Sequence, residues 1–197
     1  MRAIAVVGAV AVASSVLGGC VTATTPDAGA WKIERGYDRI LGKPAGVAQL
    51  DARSRNERQQ QLRYPRDQLQ FGSLQLSCFD NAPVIRLVFN HRIGSNRTST
   101  LSYRFDDNPG RDAEVRFLNT FTTAVIEDPK EVARFVEQLR ASNTLYVRVM
   151  SHVAGTSTVE FPLKGAPMAI EAAYQSCPVD AAQKPRTAAA PGHSVST

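Results

Sequence analysis

Residues 72–89, GSLQLSCFDNAPVIRLVF, decide the fold class. Leu74, Leu76 and Cys78 alternate with Ser73, Gln75 and Ser77, the period of a strand with one buried face. Asp80-Asn81-Ala82-Pro83 is turn material, and the compact apolar run 84–89 reads as a second strand. The same rhythm continues toward the C-terminus. Leu101, Tyr103 and Phe105 alternate between turn signals at Gly94-Ser95-Asn96 and Asp107-Asn108-Pro109-Gly110, and residues 114–126 read as one or two further strands.

The period then changes. Asp128-Pro129-Lys130-Glu131 sets an N-cap acid, a proline at the first helical position and a glutamate at the capping-box position. Val132, Phe135, Val136 and Leu139 recur at helical spacing, which gives the helix one apolar stripe to lay on a sheet. Leu145, Val147 and Val149, a loop with Gly155, and Val159, Phe161 and Leu163 form a hairpin. Gly165 and Pro167 open a last short helix through about residue 174, which delivers Cys177 to the sheet. The elements predict an α+β, β-rich fold: a mainly antiparallel sheet or sandwich with one packed amphipathic helix, a short C-terminal helix and one disulfide.

On the N-terminal side, residues 51–70 (DARSRNERQQQLRYPRDQLQ) carry few apolar anchors and read as an exposed segment, helical over 53–62. Tyr64-Pro65 stops that helix, because the residue before proline is pushed to extended geometry.

Residues 1–20 carry Arg2, an almost uninterrupted apolar run over 3–16, and Leu17-Gly18-Gly19-Cys20. The run is too short to span a bilayer, which takes roughly 20 apolar residues. A positive start, an apolar stretch and small residues before a cysteine are similar to the lipobox of bacterial lipoproteins. Residues 1–19 are thus expected to be a signal peptide and Cys20 the lipidated first residue of the mature protein. Export places the other two cysteines in an oxidising compartment, where an even number predicts a disulfide, Cys78 to Cys177. Residues 20–30 read as a tether, 31–178 as a single β-rich domain, and 179–197, rich in Ala, Pro, Ser and Thr, as a disordered tail. Val21 follows the lipidated cysteine where an aspartate would retain a lipoprotein at the inner membrane, so the lipoprotein resemblance implies the periplasmic face of the outer membrane of a Gram-negative host.

Net charge is +5, with 18 Arg against 5 Lys, a balance that favours anionic partners such as lipid head groups or acidic wall polymers. No nucleic-acid motif is present, and the expected compartment argues against nucleic acid as a partner.

The order of motifs along residues 70–178 resembles the VasI/TagO group of type VI secretion-associated envelope proteins and related uncharacterised lipoproteins. The resemblance rests on Trp31, on the Leu74-x-Leu76-x-Cys78 strand, and on Tyr103, Arg104 and Asp106. It continues with Phe135 and Leu139 on the helix, Leu145 and Arg148 on a strand, and Phe161, Leu163, Gly165 and Cys177. The chain departs from the group in its long segment before the first cysteine strand and in Asn119-Thr120, where a tryptophan-bearing strand is expected. The resemblance implies a β-rich periplasmic domain with an accessory role in secretion or cell-wall remodelling, and no active-site residues to carry over.

Candidate chemistry is sparse. His91, His152 and His193 form no constellation, and no Gly-x-Ser-x-Gly or Ser-x-x-Lys nucleophile motif occurs. The acidic loop 106–112 begins like a calcium loop, yet Phe117 stands where the bidentate glutamate belongs, so a turn around Pro109 is expected, with no metal and no cofactor. Arg104 and Asp106 share one face of their strand, opposite Tyr103 and Phe105. With Arg148 they are the candidate ligand-binding residues, since arginine can hold the carboxylate of a peptide stem or acidic sugar bidentately. The expected function is a non-enzymatic, lipid-anchored envelope protein that binds a cell-wall component or an envelope or secretion-system protein. The alternatives are a cell-wall-directed hydrolase or its regulator, and a structural lipoprotein of no secretion system.

Overall fold

The computed structural model describes residues 28–179, apart from 41, 57–69, 95–97, 119 and 153. The expected signal peptide, Cys20, residues 21–27 of the expected tether, the 57–69 part of the Arg/Gln-rich segment, Asn119, the expected tail from 180 and His193 lie outside the described residues.

Among the described residues nine strands make one antiparallel sheet: β1 (Lys32–Asp38), β2 (Lys43–Asn56), β3 (Phe71–Phe79), β4 (Ala82–Phe89), β5 (Thr98–Phe105), β6 (Arg111–Phe117), β7 (Thr123–Ile126), β8 (Thr144–Ser151) and β9 (Gly155–Pro162). Their spatial order is β1-β2-β3-β4-β7-β6-β5-β8-β9, and β9 returns to pair with β2. Eight strands therefore close into a barrel, with β1 as an outer strand. The expected mainly antiparallel sheet is present, but it closes on itself, in place of the sandwich that was the other expectation, through β2, which is 14 residues long. Along one edge, residues 43–49 pair with β1, and Ser54, Arg55 and Asn56 pair with β9. Changing its partner along its length lets β2 close the sheet without a second layer.

The helical reading of 53–62 fails over its described part for the same reason. Ser54 and Asn56 point inward and Arg53 and Arg55 outward, so the strand alternates with polar residues on both faces and carries no apolar signal. The strand β1 was likewise invisible, because it lies outside the barrel and is exposed at most positions.

Paired residues across an antiparallel ladder share a face, so an apolar residue opposite an apolar residue carries the lining from strand to strand. Leu50 faces Leu74, Leu74 faces Leu87, Leu87 faces Ala124, and Leu101 faces both Ala113 and Val149. Eight strands leave an interior that side chains just fill. Fully burying each Leu, Ile or Phe contributes roughly 1.5–3 kcal/mol, whereas an exposed ion pair such as Arg116–Glu127 contributes about 0–1 kcal/mol. The lining holds the fold.

Two helices sit at one end of the barrel. Helix α1 (Pro129–Ala141) follows the expected start: the Asp128 carboxylate accepts the Glu131 N–H at 2.8 Å, and Pro129 fills the first turn. The Glu131 side chain is used differently from a capping box. It accepts the Tyr103 hydroxyl and pairs with Arg134, and burial together with this carboxylate pushes the Tyr103 phenol up. The Val132, Phe135, Val136 and Leu139 stripe is buried, with the Phe135 ring edge-on to Tyr103 and Phe105 at 5.0 Å. Helix α2 (Ala166–Ala173) starts from Gly165 at φ 89°, a left-handed position that favours glycine. It presses on β2 so closely that a Cβ at Gly46 would lie 1.9 Å from the Ala172 carbonyl oxygen. Beyond α2, Cys177 is bonded to Cys78 at the end of β3, at a sequence separation of 99.

Candidate functional site

Arg104 and Arg148 both project from the outer wall, on the neighbouring strands β5 and β8. Arg104 lies opposite Tyr146 in the register, and its guanidinium sits 4.8 Å above the Tyr146 ring. Asp106 does not join them. Strand β5 ends at Phe105, Asp106 takes a positive φ of 45°, and its carboxylate accepts the backbone N–H groups of Asn143 (3.1 Å) and Thr144 (2.8 Å). The expectation that Asp106 shares a ligand face with Arg104 is therefore corrected: Asp106 fastens the connection between α1 and β8 to the end of β5.

Strand β2 supplies two further cations that the sequence did not single out, Arg53 and Arg55. The register places Arg55 opposite Thr158, Thr158 opposite Arg148, and Arg148 opposite Ser102. With strands about 4.8 Å apart, the Arg55 and Arg148 backbones stand about 10 Å from each other across β9. Arg53 and Arg104 lie two positions along their strands from Arg55 and Ser102. The four arginines, Tyr146 and Glu160 border a shallow groove of about 740 Å³. Among the described residues, none of the four arginines is in an ion pair, in contrast to Arg116 with Glu127 and Arg134 with Glu131. Among the described residues Glu160 is the one acid of the lining.

This arrangement suits binding. Guanidinium groups take carboxylate or phosphate oxygens in forked pairs, and Tyr146 adds a flat apolar face already stacked by Arg104. Glycoside hydrolysis uses a pair of carboxyl groups, and among the described residues of the lining Glu160 is the single carboxylate.

A second polar cluster lies inside the barrel, at the end away from the helices. His91 Nε2 is 3.0 Å from Ser157 Oγ, its Nδ1 is 3.3 Å from Asn90 Oδ1, and Asn56 donates to Ser157 Oγ at 2.8 Å and to the Ala154 carbonyl at 2.9 Å. Hydroxyl, imidazole and amide stand in the order of a nucleophile–base–orienter set. Ser157 is fully buried, however, so no substrate reaches its oxygen, and Asn56 already donates to it. Burial also pushes the His91 imidazole down, which favours the neutral ring. The cluster satisfies polar groups that close this end of the barrel. Period-two reading through Asn56 and Ser157 would have been the only signal for it, and their polarity hides that signal.

His152 sits in the β8–β9 turn. In the acidic loop, Asp112 accepts the Ser102 hydroxyl at 2.7 Å, and among the described residues no three His, Cys, Asp or Glu side chains converge as a metal site. A wider cleft, about 1330 Å³, runs between α1 and α2. Lys130, Arg134 and Arg140 there alternate with Glu137 and Glu171, so it has no single sign of charge to select a ligand.

No protein-family profile, curated protein or solved structure matches this chain.

Proposed function

We propose that this protein is a lipid-anchored envelope protein, held by Cys20 at the periplasmic face of the outer membrane, that binds an anionic envelope component in the arginine groove and performs no catalysis. The observation that carries the binding reading is the convergence of Arg53, Arg55, Arg104 and Arg148 around Tyr146 on one wall. An array of unpaired guanidinium groups repels itself, and an anion relieves that repulsion while accepting charge-assisted hydrogen bonds of about 1.5–3 kcal/mol each. Carboxylate-bearing wall peptides and acidic glycans have the matching chemistry. The anchor is supported by the Leu17-Gly18-Gly19-Cys20 sequence, and the Cys78–Cys177 disulfide is consistent with an extracytoplasmic address. The accessory role in secretion or wall remodelling is supported by the motif order alone, and effector export in a strain lacking the protein tests it.

The groove is tested by co-sedimentation of the purified protein with isolated peptidoglycan sacculi, comparing wild type with Arg104→Ala/Arg148→Ala. Loss of even one charge-assisted contact predicts binding about tenfold weaker or worse, and wild-type binding that falls as salt rises. Equal sedimentation of both proteins would remove the groove as the binding site. Palmitate labelling of the wild type that disappears in Cys20→Ser tests the anchor.

A further inference from the structure

The charges of the arginine groove fall on two lines that cross the strands. The first runs Arg55, Thr158, Arg148 and Ser102, on β2, β9, β8 and β5. Thr158 is centred between two exposed arginines, each one strand spacing of about 4.8 Å away at the backbone. Beyond Ser102 the line reaches Asp112 of β6, whose carboxylate accepts the Ser102 hydroxyl at 2.7 Å and, among the described residues, is in no ion pair. On the second line Glu160 faces Tyr146, and Tyr146 faces Arg104, which stacks on its ring. One further step of the β2–β9 register places Arg53 beside Glu160. Glu160 is exposed and stands two residues along β9 from Thr158, about 7 Å.

The first line selects the anion. Arginine side chains are long enough to bring both guanidinium groups over Thr158 from either side. A carboxylate there offers one negative charge and two oxygens, which a single guanidinium fork already engages. A phosphate monoester offers a charge of about −1.5 to −2 and three acceptor oxygens, enough for both arginines and the Thr158 hydroxyl. Charge and donor count both match the phosphate.

The second line selects what carries it. The Glu160 carboxylate repels a second anionic group at its position and accepts hydrogen bonds from neutral donors. The groove therefore favours a ligand that is dianionic over Thr158 and rich in hydroxyl donors two residues further along β9, beside an aromatic ring. A hexose ring and its phosphate have that span and that chemistry.

We infer that the groove takes a sugar phosphate, with the phosphate monoester over Thr158 between Arg55 and Arg148 and the sugar hydroxyls on Glu160 beside Tyr146. This rests on the reading of the groove as an anion site and narrows its ligand to phosphorylated sugars. A free sugar phosphate and the phosphorylated end of a glycan share this chemistry.

Isothermal titration of the purified protein with glucose 1-phosphate, inorganic phosphate and glucuronate tests it. Glucose 1-phosphate should bind about tenfold tighter than either of the others, the worth of one further hydrogen bond to a charged group. Arg55→Ala should weaken both phosphate ligands about tenfold by the same reckoning. Glu160→Ala should abolish the preference for glucose 1-phosphate over inorganic phosphate without weakening inorganic phosphate, a pattern that loss of structure does not produce. Both substituted side chains are exposed, so neither change opens the core. Glucuronate binding as tight as glucose 1-phosphate, no effect of Arg55→Ala, or a preference that survives Glu160→Ala overturns the inference. Sedimentation with sacculi that depends on Arg104 and Arg148, without preference for glucose 1-phosphate, sinks the sugar phosphate and keeps the anion groove. The expected preference without sacculus sedimentation upholds the sugar phosphate and removes the wall as its source, and failure of both removes the groove. Given the preference, maltose 1-phosphate separates the two sources: tighter binding assigns a glycan end, and binding no tighter assigns a free sugar phosphate.

Discussion

Replacing both Cys78 and Cys177 with alanine removes a cross-link that closes 99 residues of sequence separation, and its effect can be worked from that span. In the chain-entropy model a closed loop of about 100 residues withdraws about 4.7 kcal/mol of freedom from the unfolded chain. Residual structure in the unfolded ensemble reduces the figure, so a loss of about 3–4 kcal/mol is expected, a large share of the roughly 5–15 kcal/mol that holds a domain folded. Because the effect acts on the unfolded state, the released chain also exposes more surface. Urea unfolding followed by circular dichroism should therefore give a lower midpoint and a steeper m value in the double-alanine protein. Cys177 is buried beside α2, so a packing explanation competes with the entropic one. Packing loss alone lowers the midpoint at unchanged m. A double variant within about 1 kcal/mol of wild type, or one destabilised at the same m, would refute the reasoning.

Two further outcomes follow from the core. Gly46→Ala places a methyl group against the Ala172 carbonyl and should cost about 1–3 kcal/mol by displacing α2; a thermal midpoint within error of wild type contradicts the close approach. His91 is held below its ordinary value of 6.5 by burial, so between that lowered value and 6.5 the unfolded chain binds a proton that the folded protein refuses. Its contribution is full above pH 6.5 and is lost as pH falls toward the lowered value; His91→Gln should flatten that slope in urea midpoints measured from pH about 7.5 to about 5, and an unchanged slope assigns the effect elsewhere.

The strand and helix pattern from residue 72 onward was readable because each element carries its own local period. Leu74-x-Leu76-x-Cys78 alternates in full view, and Asp128-Pro129 marks a helix start whose chemistry is contained within four residues. The N-terminal half of the sheet was not readable. In β2, the buried positions Ser54 and Asn56 are polar, satisfied in the case of Asn56 by Ser157 and the Ala154 carbonyl some 100 residues away, so no apolar rhythm announces the strand. The groove shared that fate: Arg104 and Arg148 were legible as outward residues of alternating strands, while Arg53 and Arg55 looked like part of a charged helix. Asp106 looked like their partner by period, until a positive φ at the strand end turned its carboxylate to the backbone of Asn143 and Thr144.

The amino-acid sequence by itself determined that the chain is β-rich, where its main helix begins, and that two cysteines remain to be paired once Cys20 is set aside. Local periodicity and composition carry that information. Only the tertiary structure decided that the sheet closes, because closure depends on a ladder between Ser54–Asn56 and Ser157–Val159, two segments that have no local sign of each other. The same closure gathers Arg53 and Arg55 from β2 beside Arg148 and Arg104 from β8 and β5, and so makes the site.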